Sequence, residues 1–461
     1  MKRIAAVAVA LLVTARAGAE ECPKNRPTDP SPPSGYLFEG TPKSYATPEG
    51  NARVWWTETG SHAPILTSTR SDGVPDSVAV VGEVLENAIA SYTKLGFKPA
   101  LRDGDYPTCA SNGGDDRVDV YLVSFKGADG QTVSERCTAV GTTQKCPGFI
   151  LVERNFLSKG YASAREGAET VVAHEYFHMV QNAYDQKMDR WWAEGTAQWS
   201  TKQLYPALLD LERNLPAFFS EVSRPIDTPP SGVTSGFLYG AAIWPVFLGQ
   251  HQGTESIRLV MEAVGAGKGT VLPATDEVLV GKGTSLADEF ATFAVWNAAT
   301  GKRAGTDGYK DAAKYPMVAA EAFPDGADAV LTGITAGMAA RYYTTTDPAA
   351  RTIALEADDT RLGGLAVPIE GGKVMIGKAT KLPATVTGEA IIVLAGRSPK
   401  KTDVTWTLRA TAPAVDTDAG TTPAPTGNTE SSSGCATGHR SAQGAWLVAI
   451  ALAAMTTRRR R

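Results

Sequence analysis

Histidine and cysteine are scarce in this chain, with five of each among 461 residues. The sequence has no glycine-rich phosphate-binding loop, no serine nucleophile elbow, no paired glycosidase signature and no basic stripe with interleaved aromatic residues. These absences argue against several classes of nucleotide-binding protein and hydrolase. What is present is an ordinary globular composition, 43% hydrophobic and 20% charged, in a chain long enough for two or three domains.

The formal net charge of −4 conceals a more acidic body. Removing Lys2, Arg3, Arg16 and the four arginines at 458–461 leaves 38 basic residues against 49 acidic residues, a formal charge of −11. A surface of this sign repels phosphate backbones. We therefore expect no nucleic acid among the partners of this protein.

The first nineteen residues have the pattern of a secretory signal peptide. Lys2 and Arg3 precede the apolar run 4–13, and the small residues 17–19 form a cleavage pattern. An exported protein meets oxidising conditions in which thiols pair. Four cysteines form an even set with three possible pairings, among which the sequence does not choose: Cys22, Cys109, Cys137 and Cys146.

The C-terminus carries a short apolar segment between a cysteine and an arginine cluster. Cys435 is followed by the apolar run 445–455 and then by arginines 458–461. Eleven residues at about 1.5 Å each fall short of the roughly 30 Å bilayer core. This tail resembles the Myxo-CTERM sorting signals, which implies removal by sorting and processing machinery of the envelope and display at the cell surface or release. An inefficient membrane anchor is the alternative.

Two of the five histidines, His174 and His178, lie four residues apart and enclose Glu175. On a helix these two imidazoles share one face and reach one cation. Catalytic zinc takes three protein ligands and leaves a fourth position open. Glu194, sixteen residues after His178, is the best-placed third ligand. We expect one Zn²⁺ that activates a water, with Glu175 as the general base that takes its proton.

Other third ligands, another class of zinc protease and a surface helix are the alternatives to this pattern. A metzincin would need glycine at position 181 and histidine at 184, where Gln181 and Tyr184 stand, so that class is excluded. Asp185 and Asp189 follow the second histidine closely and are more typical of solvated residues. A surface helix with a salt bridge would also carry the two histidines, but it leaves Glu194 unexplained.

Periodicity and turn residues predict an α+β protein. The predicted order is an N-terminal sheet, an active-site helix, a mostly helical C-terminal subdomain and a small all-β sandwich. The active-site helix is predicted to begin near Ser163, with Glu166 in a capping box. Strands are predicted at 53–58, 118–123, 149–152, 340–345, 352–357, 364–369, 390–395 and 404–410, and helices from Pro75 and at 194–204, 236–248, 255–264 and 285–298. The predicted organisation is a signal peptide (1–19), a Pro-rich leader (20–50), a catalytic domain (51–312), a β-sandwich (325–412), a flexible linker (413–434) and a sorting tail (435–461).

The region 174–181 together with 192–197 resembles the Glu-ligand zincins, or gluzincins, and most closely the secreted metalloproteases of myxobacteria. The stretches 72–76 and 113–122 extend this similarity, which covers roughly residues 72–248. The resemblance implies a zincin fold and peptide-bond hydrolysis. It also implies that His174, His178 and Glu194 are the zinc ligands and that Glu175 is the base. The gap between the second histidine and the glutamate is shorter than in better-known gluzincins.

Three further features have two interpretations each. Tyr239 is predicted to donate to the developing oxyanion, as a tyrosine does in gluzincin aminopeptidases, or else to be a packed core residue. The segment Phe149–Glu153 is either an edge strand that pairs with an extended peptide or an interior strand. Trp191, Trp192 and Trp199 are predicted to lie in the core or cleft wall rather than to form a recognition box.

The acidic pairs Asp103/Asp105 and Asp115/Asp116 are weak candidates for Ca²⁺, because EF-hand spacing is absent and turn chemistry explains them better. We therefore predict an exported zinc endopeptidase that acts on protein or peptide substrates. A catalytically inactive surface binding or adhesion protein and a zinc exopeptidase or amidase are the alternatives.

Overall fold

The computed structural model describes residues 24–103, 115–231, 236–357, 359–400 and 402–413. The predicted signal peptide, the sorting tail and nearly all of the linker lie outside these ranges, as do Cys22, Cys109 and Cys435. The architecture is mixed α+β, as predicted. No helix within the described ranges is both long and apolar enough to cross a membrane.

The N-terminal sheet has five strands in the order β1-β2-β3-β7-β4. Strands β2, β3 and β7 run parallel, whereas β1 is antiparallel to β2 and β4 is antiparallel to β7. The strands of this region are β1 (Lys43–Ala46), β2 (Ala52–Trp56), β3 (Val118–Val123), β4 (Gly130–Ser134), β5 (Thr138–Val140), β6 (Thr143–Lys145) and β7 (Gly148–Glu153). Strands β5 and β6 form a separate hairpin, and the Cys137–Cys146 disulfide joins its two ends.

Strand β7 is interior and β4 is the edge strand, so the edge interpretation of Phe149–Glu153 was wrong. Every residue of β7 is buried. Phe149 and Leu151 join one hydrophobic cluster, while Ile150 and Val152 join another on the opposite face of the sheet. A continuous apolar run is expected of a strand covered on both faces.

Two helices of nineteen residues pack with this sheet: α1 (Asp76–Lys94) and α2 (Ala164–Asn182). Ser163 caps α2, because its hydroxyl oxygen accepts from the backbone N–H of Glu166 at 3.0 Å. The Glu166 carboxylate in turn accepts from the backbone N–H of Ala162, also at 3.0 Å. The capping box is therefore closed one residue earlier than the standard pattern.

Further helices follow α2, as predicted. They are α3 (Arg190–Leu204), α4 (Asp210–Phe219), α5 (Gly236–Gly240), α6 (Ile243–His251), α7 (Glu255–Gly265), α8 (Val271–Gly281) and α9 (Leu286–Ala298). Helix α3 begins four residues before the predicted Glu194, since the buried Trp191 and Trp192 extend its packed face. The helix predicted over 236–248 is two helices, and Pro245 consequently falls in the first turn of α6, where its missing N–H costs no bond.

The C-terminal strands form two larger sheets, of six strands and four strands. They comprise β8 (Glu321–Ala322), β9 (Val330–Thr335), β10 (Ala340–Thr345), β11 (Arg351–Ala357), β12 (Leu362–Glu370), β13 (Lys373–Val374), β14 (Thr380–Lys381), β15 (Ala384–Val386), β16 (Ala390–Gly396) and β17 (Val404–Thr411). Side chains from both sheets meet in one hydrophobic cluster that includes Ile353, Ile392 and Trp406.

Strand β16 departs from the expected alternation of buried and exposed residues. All seven of its residues are buried. Ile392 and Leu394 lie in the cluster between the two sheets, whereas Ile391 and Val393 belong to the main core that also contains α9. The β region therefore shares its core with the helical region, and the domain boundaries proposed from the sequence stay predictions.

The segment predicted as an irregular leader contributes to the sheet as β1 and also carries a buried arginine. The Arg26 side chain is 1% exposed and pairs with three carboxylates. Its Nη2 lies 2.6 Å from Asp103 Oδ2 and 2.8 Å from Glu135 Oε2, and its Nη1 pairs with Asp119. These contacts attach the segment to the start of β3 and to the end of β4.

Candidate metal centre

Helices α2 and α3 bring His174, His178 and Glu194 together. The Nε2 atoms of the two histidines are 3.1 Å apart, and Glu194 Oε2 lies 3.3 Å from His174 Nε2 and 3.5 Å from His178 Nε2. The three side chains are 11%, 19% and 14% exposed in the order of the chain. Within the described ranges, this is the one group of at least three histidine, cysteine or acidic side chains close enough to share an ion.

The triangle of donor atoms matches the dimensions of a tetrahedral zinc site. Ligands at about 2.0–2.1 Å from zinc, with tetrahedral angles, stand about 3.3–3.4 Å from each other. The observed separations of 3.1, 3.3 and 3.5 Å bracket that value. Two imidazoles and one carboxylate are also a donor set typical of catalytic zinc. The residues present therefore fit the ion expected from the sequence.

Gln181 orients the ring of His178. The Gln181 Nε2 group donates to the carbonyl oxygen of Ala193 and to Thr196 Oγ1, both at 2.8 Å, and the Thr196 hydroxyl itself donates to a backbone carbonyl. The Gln181 Oε1 atom is therefore the acceptor, 2.7 Å from His178 Nδ1, which must carry the proton. This arrangement leaves the Nε2 lone pair of His178 directed at the donor triangle, as a metal ligand requires.

The electrostatics of the triangle favour a cation. Burial alone would raise the pKa of Glu194, but hydrogen bonds to His174 and His178 hold that pKa well below its usual range. Burial lowers the pKa of His178, yet the hydrogen bond and charge of Glu194 and the charge of Glu175 outweigh burial and raise the pKa to about 9. The Glu194 carboxylate is thus ionised and favours positive charge at His178.

Glu175 lies beside the donor triangle and is held from the edge strand. The Thr132 hydroxyl of β4 lies 2.9 Å from Glu175 Oε2 and 2.7 Å from the Glu175 carbonyl oxygen. Gly130, also in β4, faces the same side chain, and a Cβ there would lie 2.9 Å from Glu175 Cγ and 2.5 Å from Val171 Cγ1. The glycine therefore makes room for the carboxylate.

Tyr239 faces the site from α5. The centroid of its ring lies 5.9 Å from that of His174. Burial, together with the negative charges of Glu194 and Glu175, raises the pKa of Tyr239 well above its ordinary value, so the hydroxyl keeps its proton. Across the described ranges the Tyr239 hydroxyl has no hydrogen-bond partner, which leaves it available as a donor.

A cavity of about 290 Å³ opens between β4, α2, α3 and α4 beside the donor triangle. It is lined by Gly127, Ala128, Asp129, Gly130, Tyr161, Thr170, Val171, His174, Glu175, Gln198, Asp210, Asn214 and Tyr239. Because Glu175 and Tyr239 line it together with His174, a molecule that fills the cavity contacts the residues expected to carry out the chemistry.

The rival ligands have other roles. Asp185 Oδ1 accepts from the backbone N–H groups of Gln144 and Lys187, at 2.9 and 3.1 Å. Asp189 precedes α3 and accepts from the N–H of Val271 at 2.8 Å. Neither aspartate belongs to the group of potential ligands.

Two of the aspartates considered for Ca²⁺ form ion pairs. Asp103 pairs with Arg26, and Asp115 pairs with Arg53 and Arg117. Asp105 lies outside the described residues.

The three tryptophans Trp191, Trp192 and Trp199 are at most 2% exposed and belong to the core.

Sequence reasoning missed the residues that support the site from outside. Gln181 had a detectable signal, because it follows His178 by three residues on the same helix and was considered only as a departure from the metzincin pattern. Thr132, Asp129 and Asp210 had no local signal, since only the tertiary fold brings them to α2.

No protein-family model matches the chain, and no curated protein matches it in sequence.

Proposed function

We propose that this chain is a zinc metallopeptidase with a zincin-type catalytic region. The donor triangle of His174, His178 and Glu194, with separations of 3.1–3.5 Å and Glu175 adjacent, is the observation that carries the proposal. The sequence resemblance to gluzincins supports the same ligand set. The short gap before Glu194 is consistent with it as well, because α3 begins at Arg190 and returns the glutamate to α2 within its first turn or so.

His174, His178 and Glu194 would hold a zinc ion, which would supply a Lewis acid and lower the pKa of water to about 7. The Glu175 carboxylate, held by Thr132, accepts a proton from the attacking water as the water oxygen forms a bond to the scissile carbonyl carbon. Glu175 then delivers the proton to the departing amine nitrogen as the carbon–nitrogen bond breaks. The Tyr239 hydroxyl donates to the carbonyl oxygen while negative charge develops there.

The edge strand β4 supports a peptide as the substrate. Among the described residues, strand β4 pairs antiparallel with β7 on one side and has no partner strand on the other, so its outer backbone groups can pair with an extended chain. Gly130 and Thr132 of this strand contact or adjoin Glu175. A peptide paired with β4 would thus lie across the base. The sequence suggested Phe149–Glu153 as the strand that pairs with the substrate, and we now propose β4 for this role.

Export remains part of the proposal. The Cys137–Cys146 disulfide is typical of proteins that fold in an oxidising compartment. With the signal-peptide pattern and the Myxo-CTERM-like tail in the sequence, it supports a location at the cell surface or outside the cell.

The proposal is tested with purified protein and two substitutions. Metal analysis of the wild type should find one zinc ion per chain, and Glu194→Ala should lose it. Glu175→Gln should retain zinc but lose roughly 10²–10⁴-fold in the rate of peptide hydrolysis, because only the proton transfer is removed. Casein, end-blocked peptides and free-amine peptides serve as substrates and separate endopeptidase from exopeptidase activity.

Asp325→Asn is the matched control for a lost carboxylate, since Asp325 is 73% exposed in the loop before β9. It should change neither zinc content nor rate. Activity that survives Glu175→Gln unchanged, or a wild type that binds zinc without cleaving any substrate in the panel, would contradict the peptidase proposal and favour the binding-protein alternative.

A further inference from the structure

The cavity beside the donor triangle has an excess of negative charge. Asp129 and Asp210 line it in addition to Glu175. The nearest lysine is Lys159, whose Nζ lies 3.5 Å from Asp129 Oδ1 and 3.9 Å from Glu153 Oε2. That lysine also donates to two backbone carbonyls, at 2.8 and 3.2 Å, so it is committed to the Asp129 side of the cavity.

Asp210 lines the α4 side of the cavity. No lysine or arginine of the described residues lies within ion-pair distance of it. Its one side-chain contact is with Gln198, whose Nε2 donates to Asp210 Oδ2 at 2.5 Å. A neutral amide fixes the direction of the carboxylate without cancelling its charge, and the second oxygen, Oδ1, has no partner among the described residues.

The position of Asp210 relative to the ligands follows from α3. Gln198 is four residues after Glu194 on this helix, so the two side chains share a face about one turn, or roughly 5–6 Å, apart. Gln198 is 2% exposed, which makes it a rigid support. Asp210 is therefore held next to the metal centre on the α4 side of the cavity.

The other polar groups in the cavity are mainly acceptors. Asn214, one turn after Asp210 on α4, uses its amide N–H to donate to the Asp210 carbonyl oxygen at 3.0 Å, which leaves its own side-chain oxygen as an acceptor. The Tyr161 hydroxyl donates to Asp129 at 2.9 Å. Acceptors with a net negative charge match a group that only donates, such as an ammonium or a guanidinium.

We infer that this cavity binds a protonated amine or guanidinium next to the scissile bond, with Asp210 as the specificity-determining carboxylate, so that the enzyme selects cationic peptide substrates. The inference rests on the proposed peptidase function. A volume of about 290 Å³ lies at the lower end of ligand pockets, which suits one side chain or one chain terminus and not a larger molecule. The cation has two sources, a lysine or arginine side chain or a free N-terminal ammonium.

The test uses the zinc-loaded protein and peptides that differ in a single group. End-blocked, internally quenched peptides carry lysine or its uncharged isostere norleucine at each position flanking one cleavage site. A second pair has a free or an acetylated N-terminus. The wild type should show kcat/KM at least roughly tenfold higher for the cationic member of one pair, as expected for a hydrogen-bonded charge in a partly buried site. The pair that responds identifies the source of the cation.

Asp210→Asn should remove this preference, so that the ratio of kcat/KM for the cationic peptide to kcat/KM for the uncharged peptide falls to about one, since the amide retains an acceptor for Gln198 but loses the charge. Asp325→Asn, which removes an exposed carboxylate, should keep the preference. Equal kcat/KM for both members of both pairs in the wild type would overturn the inference while the proposed function stands.

Equilibrium binding separates the two proposals when no peptide is cleaved. Fluorescence anisotropy of the labelled lysine and norleucine peptides, and of the free and acetylated pair, is measured on Glu175→Gln, which cannot consume them. Tighter binding of a cationic member, lost in Glu175→Gln/Asp210→Asn, supports the cation site even if the peptidase proposal fails. Equal dissociation constants within both pairs would overturn it.

Discussion

Gln181 determines the ring orientation and the tautomer of His178. Its amide group is held by two acceptors in α3, so its oxygen remains to accept from His178 Nδ1. A histidine that lacks this partner rotates and samples the other tautomer, in which Nε2 carries the proton. Supporting contacts of this kind commonly contribute as much to a metal site as the identity of a ligand does.

We predict that Gln181→Ala lowers zinc affinity about 10–100-fold. Gln181→Glu keeps an acceptor for His178 and should recover part of the affinity although it loses both donor bonds to α3. Zinc dissociation constants from titration against a competing chelator measure the effect. Gln203→Ala, an exposed glutamine on α3, is the control. Equal zinc affinity in Gln181→Ala and wild type would show that the hydrogen bond has no orienting role.

At the scale of the element, the edge strand β4 holds Glu175, the proposed base. Thr132 bonds Glu175, and Gly130 leaves the space that the glutamate side chain fills. The same edge is free to pair with an extended peptide. In the proposed function, β4 positions both the base and the peptide substrate. A small shift of β4 therefore changes their relative geometry.

We therefore expect Gly130→Ala to reduce kcat/KM at least roughly tenfold with unchanged zinc content. The added methyl group would overlap Val171 and Glu175, whose nearest atoms lie at 2.5 and 2.9 Å from its position, and would move the carboxylate off the water. Zinc analysis and peptide hydrolysis measured on the same sample report the two effects separately.

Gly281→Ala serves as the matched control, since a Cβ at Gly281, the last residue of α8, meets no atom within 4 Å. Unaltered hydrolysis by Gly130→Ala would mean that the edge strand does not position Glu175.

At the scale of the whole molecule, Arg26 attaches the N-terminal segment to the sheet. One guanidinium faces three carboxylates, those of Asp103, Asp119 and Glu135, and all four side chains are at most 7% exposed. Burial raises the pKa of Asp103 to about 7, against the opposing effect of Arg26. The folded protein therefore holds a proton that the unfolded chain releases near the ordinary value of 3.8.

This pKa predicts the pH dependence of stability. Between about pH 4 and pH 7 the folded state binds more protons than the unfolded state at Asp103, so its contribution to the free energy of unfolding falls as pH rises, by an amount on the order of 4 kcal/mol. Asp103→Asn should flatten this dependence. Urea unfolding followed by tryptophan fluorescence from pH 4 to pH 8 measures it. Asp325→Asn, the control, should keep the wild-type slope, and a wild-type slope retained in Asp103→Asn would refute the assignment.

Strand β16 joins the helical region to the two C-terminal sheets, because its opposite faces belong to different hydrophobic clusters.

We predict that the described residues unfold in one thermal transition. Val393→Ala should destabilise that transition by roughly 1–3 kcal/mol, while added zinc raises its Tm. Val280→Ala, at a position 60% exposed in α8, should have little effect. Two calorimetric transitions, of which zinc shifts only one, would show that the β region is independent.

Much of the local structure followed from the sequence because its signals act within a few residues. The capping of α2 by Ser163, the buried stripe of α1 and the runs that form β3 and β10 depend on periodicity and on backbone hydrogen bonding. Pro245 and the buried tryptophans of α3 caused the errors at helix ends. For α3 the packing of the tryptophans, which local propensity does not contain, decided where the helix begins, whereas in α6 the proline lies in the first turn, where a missing N–H is tolerated.

The sequence by itself determined that His174 and His178 share one helical face with Glu175 beside them, because helical geometry alone places residues four apart together. It could name Glu194 but not its distance from the histidines, which depends on how α3 returns to α2. Only the tertiary structure decided that β4 and not β7 is the edge strand, and that Thr132 and Asp210 face the site. Those contacts join residues far apart in the chain, so no local pattern specifies them.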